Sequence, residues 1–283
     1  MWRHFRRLVL AGGLTALGVV ALLAMLEASL MYPAPPVARG DWSPDWLQHE
    51  EVFIETSFDT IHGWLCPHPN AKRHILVFHG NGEHVASMAE ELDFLREHLE
   101  ATVFAFDYRG YGKSGGKPFE AGILQDGMAA QAWLAERSNI PKSSIVLWGR
   151  SLGGAVAIHC ASQTGSETLV LDRTFNSMVD VASHHYPWLP VRTLLSNRYP
   201  SDKRIGGFHG GLFQVHGAAD EVVPFHLAVK LFDACPSESK VFVESPTMTH
   251  NDPWSDDQFR QVKEFIQASE ERQTPGLGPC DPT

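Results

Sequence analysis

Cysteine is scarce in this chain: Cys66, Cys160, Cys235 and Cys280 are the only four in 283 residues. They form no CxxC pair and have no histidine at zinc-finger spacing beside them. That excludes a zinc ribbon and a disulfide-dense scaffold, while one or two bridges stay open to an exported chain. Basic charge is short as well. With 23 Lys+Arg against 33 Asp+Glu, the formal charge of −10 leaves no surplus of cations for releasing counterions from a nucleic acid. Nucleic-acid binding is thereby excluded as the main function. Glycine and proline, at 24 and 18, are too few for a collagen-like or low-complexity chain, whereas 16 Phe and 8 Trp can fill a packed core. The length suits one sizeable domain with extras, and no internal repeat is present.

What is present begins with a long apolar run. Leu8 to Leu26 carries no charge, is preceded by Arg3, Arg6 and Arg7, and is followed by Glu27. A helix rising about 1.5 Å per residue just crosses a bilayer core of roughly 30 Å at this length. The one-sided arginines give an orientation signal that leaves the rest of the chain on the extracytoplasmic side. Cleavage after Ala28 is the competing reading, weakened by Leu26 three positions earlier and by a run long for a signal peptide. Residues 1–31 are therefore expected to be an N-terminal membrane anchor with a transmembrane helix over about 8–26. Residues 32–48, rich in proline, read as a stiff spacer and 272–283 as a flexible tail.

Between these ends, residues 49–271 alternate two patterns. HILVFHG, ATVFAFDYRG, SSIVLWG, ETLVLD, GLFQVHG and KVFVES are short, nearly continuous apolar runs, as strands buried on both faces require. Helical patterns lie between them, near 83–99, 119–137, 152–161, 224–235 and 256–269. EVFIETS and TIHGWLCPH predict an antiparallel hairpin leading in. The fold class is α/β, a mostly parallel sheet flanked by helices, with a small cap over about 176–208.

Two strings match G-x-S-x-G: Gly112–Gly116 and Gly149–Gly153. A nucleophile elbow needs a strand running into the serine and a helix leaving it, which lifts the hydroxyl on a tight turn. IVLW enters Ser151 and the small-residue helix LGGAVAIHCA leaves it; Ser114 instead follows the loop DYRGYGKSGG and reads as a loop serine. A serine hydroxyl needs a base held by a carboxylate. Of the histidines after Ser151, His159 lies within a helix, His216 ends a strand before the acid, and His226 starts a helix. His250, in PTMTHND after the last strand, sits in a loop at the correct end of the sheet. Asp220, in HGAADEVVP, is the preferred acid, with Asp172 one strand earlier as its rival. Two backbone N–H groups should meet the oxyanion: Leu152 after the nucleophile, and Asn81 in the FHGNGEH turn. No GKS or GKT follows that turn directly, which weakens a phosphate-cradling reading of it.

HGNG, DYRGYGKSGG, LWGRSLGGAVAIH, HGAADEVVP and THNDPW, in that order behind an N-terminal anchor, resemble the membrane-anchored α/β-hydrolase-domain-containing proteins of the serine aminopeptidase-like branch. The resemblance covers about residues 50–270. It implies a serine hydrolase with Ser151, Asp220 and His250 as triad, Asn81 and Leu152 at the oxyanion hole, and no metal or organic cofactor. It leaves the substrate open, since a fold does not choose one. The expectation is hydrolysis of carboxylic ester, thioester or amide bonds, with lipid-like or small acyl esters ahead of peptides. Transfer to an alcohol and a non-catalytic scaffold role are the rival readings. Tyr186, Trp188 and Leu189 in the cap are pocket candidates that either wall the acyl site or pack the cap onto the core.

Overall fold

A computed structural model describes residues 2–57 and 59–273 of the chain. Side chains at 8, 9, 11, 13–17, 21, 23 and 24 lie outside the described residues, as do 274–283, which include Cys280 and most of the expected tail. The apolar run and its flanks form one continuous helix, α1 (Trp2–Met31). Among the described residues no helix is long and apolar enough to cross a membrane.

The hairpin expected ahead of the first crossover is present: β1 (Glu50–Glu55) pairs antiparallel with β2 (Thr60–Cys66). Then come β3 (Arg73–Phe78), α2 (Ala89–His98), β4 (Ala101–Phe106), α3 (Glu120–Ser138), β5 (Val146–Arg150), α4 (Leu152–Thr164) and β6 (Thr168–Asp172). The cap contributes α5 (Met178–His185), α6 (Val191–Leu194) and α7 (Ser201–Arg204). The chain returns to the sheet through β7 (Gly211–Gly217), α8 (Phe225–Ala234), β8 (Lys240–Ser245) and α9 (Asp256–Gln273). The helix expected from 83 starts late. His84 and Ser87 form a reciprocal capping box around a short 3₁₀ turn, Val85–Ser87, and α2 follows it.

One sheet results, in the order β1-β2-β4-β3-β5-β6-β7-β8, parallel from β4 to β8. Its strands are apolar on both sides because both sides are covered. Leu76 and Phe78 of β3 join α3 and α4 in one core, and Ile75 and Val77 join α2 and α9 in the other. Each such side chain contributes about 1.5–3 kcal/mol on full burial. The chain leaves β3 for β4 on one side and returns past it to β5 on the other. The carboxyl ends of β3 and β5 therefore flank the crevice where the winding reverses, the place such sheets offer to a ligand.

The segment read as a spacer lies against the domain. Tyr32, Pro35, Pro44 and Leu47 are buried, the Trp42 ring stacks on His84 at 4.9 Å between centroids, and the Tyr32 hydroxyl donates to Asn197 Oδ1 at 3.0 Å. Cys66, Cys160 and Cys235 are buried and free. Burial pushes the Cys66 thiol up to about 12, the behaviour of an inert core sulfur.

Candidate active site

Strand β5 delivers the chain to Ser151 at φ 50° and ψ −116°, and α4 begins at the next residue. An L-residue rarely accepts positive φ, and here the surroundings fix it. Ser151 N–H donates to Asp172 O at 2.9 Å, and its carbonyl accepts from Gly154 N–H at 3.0 Å and from the Thr174 hydroxyl at 2.7 Å. The flanking glycines are required by proximity. A Cβ on Gly153 would lie 2.0 Å from Phe78 O, and one on Gly149 would lie 2.6 Å from Gly153 O. Only a helix with no side chain there can approach the sheet this closely.

The structure brings the three predicted side chains together. His250 Nδ1 lies 2.8 Å from Asp220 Oδ2, and His250 Nε2 lies 3.1 Å from Ser151 Oγ. A carboxylate can only accept, so Nδ1 carries the proton and donates, and the lone pair of Nε2 faces the hydroxyl. Asp220 Oδ1 accepts from the backbone N–H groups of Val222 and Val223 at 2.9 and 2.8 Å. Burial pushes the Asp220 carboxyl up, but the hydrogen bonds from His250 and Val223 outweigh it and hold the group below the usual carboxylate range. The acid therefore stays ionised behind the imidazole.

Behind Asp220 sits His216, which the sequence reading set aside. Its Nε2 donates to Val223 O at 2.8 Å and lies 3.5 Å from Asp220 Oδ2. Burial pulls its pKa below the usual histidine value, so the ring is neutral near pH 7. The rival acid, Asp172, is taken up elsewhere. Both its oxygens accept from the guanidinium of Arg173, at 2.7 and 2.6 Å. Ser114 is a loop serine: its Oγ donates to Asp107 O at 2.7 Å and accepts from His62 N–H at 2.8 Å. Residues Gly110–Gly115 of the same loop also spell G-x-G-x-x-G, but β4 ends at Phe106 and α3 begins only at Glu120. The strand–turn–helix context of a dinucleotide fingerprint is absent there.

Asn81 and Leu152 line one cavity with Ser151 and His250. Among the described residues neither backbone N–H has a protein acceptor, as befits the first amide of α4 and a donor in the turn after β3. The turn itself is shaped by Glu83, whose Oε2 accepts from Gly80 N–H at 2.7 Å while its Oε1 meets Arg150 at 2.7 Å. Arg150 reaches on to Asn251 Oδ1 at 3.3 Å, and Arg173 to the carbonyls of Thr249 and Asp252. Glu83, Arg150, Asp172 and Arg173 thus tie the ends of β3, β5 and β6 to the His250 loop. No sequence motif marks this network, although an arginine inside G-x-S-x-G beside a glutamate-bearing turn is the signal it leaves.

The cavity measures about 790 Å³, within the roughly 300–1,000 Å³ typical of small-molecule sites. Tyr186, Trp188 and Leu189 all line it, and Tyr186 and Trp188 are 52% and 71% exposed. The end of α1 also lines it, through Glu27, Leu30 and Met31, which sequence reading missed. A second cavity of about 210 Å³ on the cap holds Arg192, Lys203 and Lys230 opposite Asp180 and Asp202. Among the described residues no cluster of three or more His, Cys, Asp or Glu is arranged to hold a metal ion.

Comparison with known proteins agrees with this architecture. A family model described as "Serine aminopeptidase, S33" matches residues 69–203. The "Uncharacterized protein Rv2307c" of Mycobacterium tuberculosis is 37% identical over 245 residues, 85% of this chain and 86% of that one. The "Uncharacterized membrane protein YNL320W" of Saccharomyces cerevisiae is 30% identical, over 90% of this chain and 94% of its own. Among solved structures, the Pyrococcus furiosus esterase Pf2001 superposes with a TM-score of 0.68 at 21% identity, covering 84% of this chain and 97% of the esterase.

Proposed function

The chain belongs to the serine aminopeptidase-type family of α/β hydrolases, and from that premise we propose that it is a serine hydrolase working through an acyl-enzyme, with carboxylic or lipid esters ahead of thioesters and amides. One observation carries this reading: Ser151, raised at φ 50°, meets His250 Nε2 at 3.1 Å while His250 Nδ1 meets Asp220 at 2.8 Å.

The steps follow from those contacts. Ser151 Oγ bonds to the substrate carbonyl carbon as its proton passes to His250 Nε2, a transfer that contributes about 10²–10⁴-fold. Asp220, ionised, balances the imidazolium and holds its orientation. The carbonyl π electrons move to oxygen, where the N–H groups of Leu152 and Asn81 receive the charge. Each well-placed donor of this kind is worth about 10²–10³-fold. Return of that electron pair breaks the bond to the leaving alcohol, thiol or amine, which takes the proton from His250. Water, deprotonated by the same nitrogen, then adds to the acyl-enzyme, and collapse frees the acid and restores Ser151.

A fluorophosphonate probe, with the modified peptide located by mass spectrometry, tests this without a guess at substrate. Labelling at Ser151 that disappears in His250→Ala is expected. Absence of labelling on folded protein, or labelling elsewhere, overturns the reading.

We also propose that α1 anchors the chain in a membrane with the catalytic domain on the extracytoplasmic side. The uncharged run Leu8–Leu26 behind three arginines supports this, as does the membrane designation of the yeast relative. A reporter fused after Thr283 should be active only outside the cytoplasm; activity confined to the cytoplasm refutes the placement.

A further inference from the structure

The last turn of α1 is fastened at two points of the candidate active site. Glu27 accepts four hydrogen bonds from the cap: from Ser196 N–H to both its oxygens at 2.9 and 3.1 Å, and from Asn197 N–H and Nδ2 at 2.8 and 2.9 Å. Burial pushes the Glu27 carboxyl up, yet these donors on Asn197 and Ser196 outweigh it and leave the group below its ordinary value, so it is held as a carboxylate. On the other side, the Asn81 side-chain amide donates to Met31 O. Asn81 is the residue whose backbone N–H stands at the oxyanion position. One turn of helix therefore touches the cap and the oxyanion loop together.

Between those attachments Leu30 and Met31 line the 790 Å³ cavity together with Val181, Trp188, Leu194 and Leu195 of the cap. Leu30 is 65% exposed and Trp188 71% exposed, so the cavity is apolar within and opens through a rim that is apolar too. An open, greasy rim is unfavourable in water unless an apolar molecule or surface covers it. A site built only for acetyl or other short acyl groups needs neither the volume nor the rim.

We propose that this cavity binds the long hydrocarbon chain of a fatty acyl ester, and that the end of α1, through Leu30 and Met31, sets the chain length accepted. The proposal rests on Ser151 being the nucleophile, since the chain is taken to run outward from the acyl carbon held there. Glu27 is then a positioning residue. Its carboxylate is taken up by Ser196 and Asn197, and it holds the helix end against the cap so that the wall exists.

The test is a series of p-nitrophenyl esters from acetyl to palmitoyl on the full chain in detergent. With the unaltered protein, kcat/KM should climb by up to about fourfold per added methylene while the chain is still being buried. Leu30→Trp, at a position exposed enough to tolerate bulk, should lower the ratio of palmitoyl to butyryl kcat/KM by about tenfold or more. Glu27→Gln, with weaker charge-assisted bonds, should lower the same ratio by a smaller factor, and Glu27→Ala by a larger one. A ratio unchanged within about twofold across these variants overturns the proposal.

A second measurement separates this failure from failure of the nucleophile assignment. Ser151→Ala protein, which needs no turnover, should bind a fluorescent long-chain fatty acid, and Leu30→Trp in that background should weaken binding. Fatty-acid binding that ignores Leu30→Trp sinks the wall, whereas absence of fluorophosphonate labelling at Ser151 in the unaltered protein, with fatty-acid binding intact, sinks only the assignment of Ser151.

Discussion

Gly112–Gly116 and Gly149–Gly153 spell the same pattern and do opposite things. In the first string the glycines take the left-handed conformation, Gly112 at φ 49° and Gly116 at φ 78°, and the serine between them spends its hydroxyl on two backbone partners. In the second the serine itself takes φ 50°, the glycines serve only to let α4 close on the sheet, and the hydroxyl has one side-chain partner, His250. The lesson is that the residue bearing the unfavourable φ is the one whose side chain is presented. A flexible glycine relaxes the first turn; in the second, the fold holds the serine up.

The largest expected contrast is between the two serines. Ser151→Ala should remove hydrolysis by roughly 10⁴- to 10⁶-fold. Ser114→Ala should leave fluorophosphonate labelling in place while orphaning the buried His62 N–H, at a stability cost of about 1–3 kcal/mol read from denaturant midpoints. The reverse pattern would break the comparison. Next come the glycines. Gly153→Ala meets Phe78 O at 2.0 Å and should destabilise the fold by several kcal/mol, at the upper end of the ~0.5–5 kcal/mol range of single mutations. Gly115→Ala meets only the Asp59 side chain, with Oδ1 nearest at 3.2 Å, and thermal melts should barely distinguish it from the parent.

The second residue of each string sharpens the contrast further. Lys113 pairs with Glu51 at the surface, where such a pair is worth about 0–1 kcal/mol; Arg150 bridges Glu83 and Asn251 across the crevice. Arg150→Lys should lower kcat by about tenfold with little change in KM, because the Gly80 turn loses its fork. Lys113→Ala should do neither. A pH dependence is expected from Glu91 of α2, which feels the charges of Glu83 and Arg150. Burial, together with repulsion from Glu83, pushes Glu91 up to about 7, against a free value of about 4.3. The folded protein then holds a proton that the unfolded chain has lost. Stability from this group is full below pH ~4.3 and declines as pH rises through about 7. Glu91→Gln should flatten that slope in urea melts taken at successive pH values.

The strands were legible because continuous apolar runs have one explanation in a covered parallel sheet. The hairpin β1–β2 differs from them in part: β1 alternates exposed and buried residues, whereas β2 is buried nearly throughout. Ser151, His250 and Asp220 could be found by asking which residues follow strands, since the carboxyl edge of the sheet collects them. The choice of Asp220 over Asp172 needed more: Arg173, one residue on, claims Asp172 from a backbone at φ 46°, and nothing in LVLDRTF announces which way that arginine turns. Likewise Glu27 meets Asn197 across 170 positions. Pairings at that separation are set by where the cap lands on the sheet, which local periodicity does not encode. Proline stiffens a segment whether it stands free or lies flat, and contacts of Tyr32 and Trp42 hold residues 32–48 against the domain.

The distance along the chain between Ser151 and His250 has a consequence for synthesis. Ser151 precedes His250 by 99 residues. A chain made from its amino end therefore completes the elbow well before β8 and the loop beyond it exist, at a translation rate of about 5–20 residues per second. During that interval the serine is an ordinary alcohol. On the proposed assignment it is activated only when the final strand docks and the network from Glu83 to Asp252 closes, steps that depend on contacts remote in sequence and hence slow to form. Under that proposal truncated or half-folded copies carry no activated serine, and labelling by a serine probe should report completed folding of the whole sheet.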